Sequence, residues 1–432
     1  MEDYIKQAIK RICLKKRVEN SEKIKQIENQ CLMDYRQNNY KLCKFKKTAV
    51  YFDYNHKKRL FFHYGNGIST EKVVIKAVCG AIENKTNSKP KNKKYITSKL
   101  FEAIKKLDKN FTIVVFDMKN FFESVSTQYC YESYIKNLEL CDEMQIIAKE
   151  YVSLFPYCVQ GVALSNVFAN IAANELDEKI KASLADFDVL FYGRFVDDGY
   201  IVLNKFVDEK DIFEKIINCV KQMNIQSKNL GIKFNNKLKL NLKKFKCISN
   251  KQLGNFCCLG YEFFVDNNGI SIGISKQKQT DIENKIKRLI SQNYTNQNKL
   301  RILLKFNCQK ICYSKTLGEK KIWFKEGLIE KYELLKCMSD KIESGTKCFF
   351  ENLYVNCFNS LNLEIPKYLK CQDTDNGFNL YYNLIKQKTT TIDKECGIKK
   401  EKLISYLKQL ETEGEYECDY EKLANRFLSF FV

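Results

Sequence analysis

Residues 191–203 read "FYGRFVDDGYIVL". Two apolar, aromatic-rich runs flank a short polar step, so the stretch predicts strand, tight turn, strand. The turn carries two adjacent carboxylates, Asp197 and Asp198. Gly199 follows, where it would let the strand turn away. Asp-Gly is an ordinary turn dipeptide. Like charges at one tip nevertheless repel, and a cation between them removes that cost. The stretch "FTIVVFD" (111–117) predicts a buried strand that also ends on an acid, Asp117. If the two β segments are neighbours, three carboxylates converge. Magnesium prefers carboxylate and phosphate oxygens. Two such ions support in-line displacement at a phosphate.

The bulk composition points to a polyanionic partner. The chain has 432 residues and a formal net charge of +21, which favours nucleic acid. Its 44% of hydrophobic residues can fill a core, so wholesale disorder is not expected. No run is long and apolar enough to span a membrane, and no leader-like apolar stretch opens the chain, so a cytoplasmic location is expected. The 19 cysteines include no CxxC pair, and only His56 and His63 could supply imidazole. Zinc and a disulfide framework are therefore not expected, and the cysteines predict small reduced core residues.

Along the chain, 1–46 reads as helical and 49–64 as two strands around "NHKKR". Residues 84–99 hold six lysines and no acid and predict a loop. Leu164, Phe168, Ala172, Leu176 and Ile180 recur every four residues, which predicts an amphipathic helix. Residues 208–230 return to a helical pattern, and Asn267-Asn268-Gly269 signals a hairpin. Thr280 and Glu283 form a capping-box pattern, and helical periodicity continues from there to the end. The expected class is α+β, with an all-α C-terminal part.

Four segments, in order, resemble the motifs of reverse transcriptases. "FDMKNFFESV" is similar to motif A, "VQGVALSNVFANI" to motif B, "RFVDDGYIVL" to motif C and "CLGYEF" (258–263) to motif E. The resemblance covers roughly residues 50–275. It implies a right-hand polymerase: an N-terminal helical extension (1–48), fingers (49–110), palm with an antiparallel sheet (111–275), helical thumb (276–345) and C-terminal helical region (346–432). It implies that Asp117, Asp197 and Asp198 hold two Mg2+ ions, with Mn2+ as a substitute. Phe122 falls where the family keeps an aromatic gate against a ribose 2′-hydroxyl. Gln160 and Gly161 would line the nucleotide pocket, Gly161 letting the backbone approach the substrate closely. Lys57 and Arg59, with Lys58 between them, would reach the triphosphate. Among Lys237, Lys244 and Lys246, Lys244 fits the motif D lysine best. Leu259, Gly260 and Tyr261 would form the primer grip.

Motif C reads Phe-Val-Asp-Asp rather than Tyr-Ala-Asp-Asp, and the valine-threonine-glycine element of retron thumbs is missing. The chain is therefore most similar to the stand-alone bacterial defence-associated reverse transcriptases, including the abortive-infection group. That implies deoxynucleoside triphosphates as substrates, a partner non-coding RNA as template, a DNA product, and a homo-oligomer or a second defence protein as partner. Two alternatives stay open: untemplated or protein-primed DNA synthesis by the same palm, and a catalytically silent RNA-binding scaffold.

Overall fold

Two charged helices, α1 (Glu2–Lys16) and α2 (Ser21–Arg36), open the chain. Ile5, Ile9, Ile12 and Cys13 form one buried stripe of α1 because they fall three or four residues apart. The computed structural model describes residues 1–16, 18, 21–41, 46–52, 57–64, 67–317, 320–370, 377–411 and 414–431. It divides into two compact units, Met1–Gln252 and Leu253–Val432. Among the described residues, no helix is long and apolar enough to cross a membrane.

In the first unit, β1 (Lys46–Phe52) and β2 (Lys57–His63) pair antiparallel. Helix α3 (Thr70–Thr86) follows, capped by the Ser69 hydroxyl, which accepts from the Lys72 amide. Helix α4 (Lys93–Lys105) occupies the second half of the lysine-rich stretch that the sequence predicts as loop. Two local features outweigh the charge. The Asn92 side chain accepts from the Tyr95 amide at 2.7 Å and caps the helix. Ile96, Leu100, Phe101 and Ile104 give it a buried face, leaving Lys93, Lys94 and Lys99 toward water.

The central sheet has the order β4 (Val189–Phe195), β5 (Asp198–Leu203), β3 (Thr112–Asp117), β6 (Lys246–Ser249), all antiparallel. Tyr200, Ile201, Val202 and Leu203 of β5 are all buried, as an inner strand's run of apolar residues requires. The Ala163–Ser183 helix buries Leu164, Phe168, Ala172, Leu176 and Ile180, the predicted stripe. The four larger side chains, Leu164, Phe168, Leu176 and Ile180, each contribute roughly 1.5–3 kcal/mol by leaving water. The Glu209–Asn229 helix, N-capped by Asp208, completes the core with Ile212, Ile216, Val220 and Met223.

The second unit begins with a meander, β7 (Gly254–Cys258), β8 (Tyr261–Asp266) and β9 (Gly269–Ile274). Asn267 and Asn268 form the β8–β9 turn, where the Asp266 carboxylate accepts from the Asn268 amide. The next helix, Lys276–Asn293, is capped by Ser275 rather than by Thr280, whose hydroxyl donates to the Lys276 carbonyl inside the helix.

The expectation of a purely helical thumb and C-terminal region is corrected. A second sheet, ordered β11 (Lys320–Glu326), β10 (Lys310–Leu317), β12 (Thr389–Ile392), stands among the helices. Its cause is a period of two: Ile311 and Tyr313 of β10 are buried with Ile392, and Cys312 and Ser314 alternate with them. Three consecutive β-branched threonines open β12. The Asp393 carboxylate ties this sheet together, accepting from the Ser314 hydroxyl, the Lys321 ammonium and the backbone amides of Glu395 and Cys396. Although burial opposes the charge, those bonds hold Asp393 far below the usual carboxylate range.

Candidate active site

The β4–β5 hairpin turns on two residues, Val196 and Asp197, with Phe195 paired to Asp198. Val196 has φ 59°, the left-handed region that a β-branched residue rarely adopts. The tip is therefore held against a cost of about 1–2 kcal/mol. Register does the rest. Asp117, the last residue of β3, pairs directly with Asp198, and the Met118 amide donates to the Asp197 carbonyl at 3.1 Å. Asp117 is buried, whereas Asp197 and Asp198 are half-buried.

A lysine-rich segment then clips onto the end of β3. Lys119 N–H donates to the Lys239 carbonyl, and Asn241 N–H donates to the Asp117 carbonyl, both at 2.8 Å. Asn241 Nδ2 donates to Asp117 Oδ2 at 2.7 Å, and Lys244 Nζ donates to Asp117 Oδ1 at 2.8 Å. Of the three competing lysines, Lys244 is the one the structure brings onto this carboxylate. The Lys237 ammonium lies over the Tyr157 ring, and Lys246 opens strand β6. Asn241 is a site residue the sequence reading missed. It was detectable as the lone amide in the leucine–lysine run "KLKLNLKKF" (237–245).

The electrostatics follow from this crowding. Burial, then the neighbouring Asp197 charge, push the Asp198 carboxyl up to about 7, with Lys244 pulling the other way and Asp117 adding to the rise. Burial opposes the Lys244 charge, yet the hydrogen bond and charge of Asp117, with those of Asp198 and Asp197, hold the ammonium above its usual range. Among the described residues, no group of three or more His, Cys, Asp and Glu side chains is already arranged to hold a metal ion. Asp117 instead gives its two oxygens to Asn241 and Lys244. The Lys244 ammonium thus stands where a cation is wanted, and its side chain is 60% exposed, so it can leave. Hard carboxylate oxygens suit magnesium, so the donor chemistry fits that ion.

The two glycines serve packing at this site. A Cβ on Gly199 would stand 2.1 Å from the Phe116 ring, so the residue makes room across the β3–β5 pair rather than turning the strand. Gly161 has φ 97°, and the backbone it admits is that of β2: a Cβ would stand 2.3 Å from the Phe62 carbonyl oxygen. The Phe62 amide donates to the Gln160 carbonyl at 3.0 Å beside it. Gly161→Ala is therefore expected to lower stability by about 2–4 kcal/mol, combining a left-handed penalty with a clash against fixed backbone. Chemical denaturation measures it, and a loss under 0.5 kcal/mol, roughly the noise of a surface change, would contradict the contact.

Ser165 of motif B is fully buried. Its hydroxyl accepts from the Val159 amide at 2.9 Å and bonds Tyr151, fixing the loop that carries Gln160. Phe122 is half-buried beside Phe121 and lines a cavity of about 730 Å³ with Asn166, Asn170, Arg194 and Val196. The backbone of Lys57 and Arg59 lies in β2, and their side chains fall outside the described residues. In the second unit, Leu259 and Gly260, with φ 50° and 102°, make the two-residue β7–β8 turn. Tyr261 is buried there, its hydroxyl donating to the Lys331 carbonyl at 3.2 Å.

No family model matches the chain, and no curated protein does. Solved telomerase structures do. Apo telomerase from Candida tropicalis, truncated of its C-terminal domain, is 12% identical, with 52% of this chain and 54% of that chain covered and a TM-score of 0.37. Telomerase from Candida albicans in complex with a TWJ fragment of telomeric RNA is 12% identical, covering 83% of this chain and 53% of that one at a TM-score of 0.38. The corresponding Candida tropicalis complex is 11% identical over 94% of this chain and 68% of that one, at a TM-score of 0.39. The chain spans about half the length of the first two.

Proposed function

We propose that this protein is a magnesium-dependent nucleotidyltransferase of reverse-transcriptase type, which adds deoxynucleotides to a 3′-hydroxyl on an RNA template. One observation carries the reading: the β3–β5 register sets Asp117 opposite Asp198, next to Asp197, with the Lys244 ammonium on the same carboxylate. Carboxylates this crowded call for positive charge. Asp117, Asp197 and Asp198 are the residues that would hold Mg2+. Two divalent ions bound there would activate the attacking hydroxyl and stabilise the leaving pyrophosphate. Lys244, released from Asp117, would turn its exposed ammonium to the departing phosphates. Lys57 and Arg59 on β2 would add cations to the triphosphate, Gln160 would face the nucleotide, and Leu259, Gly260 and Tyr261 would support the primer. The net charge of +21 suits the nucleic-acid backbone.

Phe122 would stand against the sugar. Phe122→Ala is expected to reduce discrimination between deoxyribo- and ribonucleotides roughly 10- to 100-fold, the scale of one lost apolar contact. Unchanged sugar selection in competition assays would remove the gate. The finer assignment, copying of a partner non-coding RNA in antiphage defence within an oligomer or a complex with a second protein, rests on the motif resemblance. It is tested by purifying the protein with the nucleic acid it carries and sequencing RNA and DNA separately. A DNA product matching the copurified RNA is expected. A homopolymer or simple repeat made without RNA would overturn templated synthesis in favour of untemplated or protein-primed extension.

A further inference from the structure

Arg194, two residues before Val196 at the hairpin tip, bonds both the turn and the Ala163–Ser183 helix with its guanidinium. Nε donates to both oxygens of Asp177 at 2.9 and 3.0 Å. Nη2 donates to the side-chain oxygens of Asn170 and Asn174 at 3.3 and 3.2 Å. Nη1 donates to the Val196 carbonyl at 2.7 Å. The side chain is only 6% exposed, and its partner Asp177 also accepts from the Tyr192 hydroxyl. Asp177, Asn170 and Asn174 all belong to the Ala163–Ser183 helix, and Asn170 in turn donates to the Ser88 carbonyl. A rigid fork thus ties the left-handed Val196 to a long, well-packed helix.

We propose that Arg194 is a positioning residue for the acid pair: its bond to the Val196 carbonyl holds the strained turn and so fixes where Asp197 and Asp198 point. The proposal rests on the nucleotidyltransferase reading for its kinetic consequence, but not for its structural one. The geometry separates two jobs. The Nε edge and Asp177 form a buried ion pair, which any packed pair could replace. The Nη1 arm reaches the tip, and only a planar fork anchored at Nε does both at once. Strain at Val196 gives the arm something to oppose: once it is gone, the turn relaxes toward ordinary backbone angles.

Two variants keep this testable. Breaking a buried ion pair by removing one partner can unfold a protein, whereas replacing both partners by apolar residues is often tolerated. The first variant is therefore the double substitution Arg194→Met with Asp177→Leu. The second is Arg194→Lys, which keeps a charge for Asp177 but lacks the second arm. The full chain is used throughout, with two readouts: amide hydrogen exchange of the 194–200 segment, and kcat against KM for a deoxynucleotide. Both variants are expected to exchange faster across 194–200 than the wild type, and to lose kcat by roughly 10- to 100-fold with KM within about twofold, as misplaced catalytic groups do. Unchanged exchange at the tip overturns the clamp. Faster exchange with unchanged kcat overturns the positioning role. Restoration of kcat by Arg194→Lys also overturns it, because the ion pair alone would then suffice. If the wild type incorporates no nucleotide, the nucleotidyltransferase reading fails by itself, and the exchange comparison still decides whether Arg194 holds the turn.

Discussion

Asp117→Asn is expected to lower deoxynucleotide incorporation by on the order of 10³-fold or more, equivalent to about 4 kcal/mol or more of transition-state stabilisation. The substitution removes one charge from the centre of the acid cluster and leaves its shape. Asparagine at 117 still has an oxygen to accept a hydrogen bond from Lys244 or Asn241. The lysine that loses its counter-charge has a 60% exposed side chain, so water can take over. The melting temperature should therefore move little while the rate collapses. Asp208→Ala provides the opposite control. Asp208 caps the Glu209–Asn229 helix by accepting from the Lys210 amide. Its removal should cost about 1 kcal/mol of stability and leave the rate intact. Steady-state incorporation and thermal unfolding of the two variants separate the roles. A rate that falls equally in both would mean that Asp117 acts through stability alone.

The second large effect is a pH dependence centred on Asp198. Its carboxyl moves from 3.8 to about 7 on folding, through burial first and the Asp197 charge second. The folded state therefore binds one more proton than the unfolded state between these values. Stability of the metal-free first unit should fall as pH rises from about 4 to about 7, and stay low above. Asp198→Asn removes that penalty, so it should stabilise the metal-free protein at pH 8 by on the order of 2–4 kcal/mol and by much less at pH 5. The same proton must leave before a cation can bind, so divalent affinity should weaken about tenfold per pH unit below 7. Unfolding of wild type and Asp198→Asn at the two pH values checks the first statement, and Mn2+ titration across pH checks the second. An equal stability difference at pH 5 and pH 8 would place the Asp198 charge outside the acid cluster.

The acids were legible in the sequence because they depend on local patterns. Apolar runs ending on an acid gave the strands, and one polar step between two runs gave the hairpin. The neighbouring of β3 and β5 was not legible, since strand order is set by long-range pairing that leaves no local mark. Asn241 and Arg194 escaped for the same reason: each has its carboxylate partner on another element, Asp117 for one and Asp177 for the other. The neighbours that Gly161 and Gly199 make room for were not legible, because a glycine announces close approach without saying of what. For Gly161 it is the β2 backbone, and for Gly199 the Phe116 ring. The helix α4 was hidden under its own lysines, whose solvent face masked a regular buried one. The β10–β11–β12 sheet was hidden where short alternating segments lay among long helical ones, because four to eight residues carry too little periodicity to override their neighbours.

The most direct measurement is single-turnover extension of a primer–template by the purified protein with Mg2+ and one deoxynucleotide, run beside Asp197→Asn at equal concentration. Three carboxylates acting together on divalent ions predict extension by the wild type, its loss on chelation of the metal, and no detectable extension by Asp197→Asn despite a melting temperature no lower than that of the wild type. Extension that persists in Asp197→Asn, or that survives removal of every divalent ion, would contradict the two-ion site.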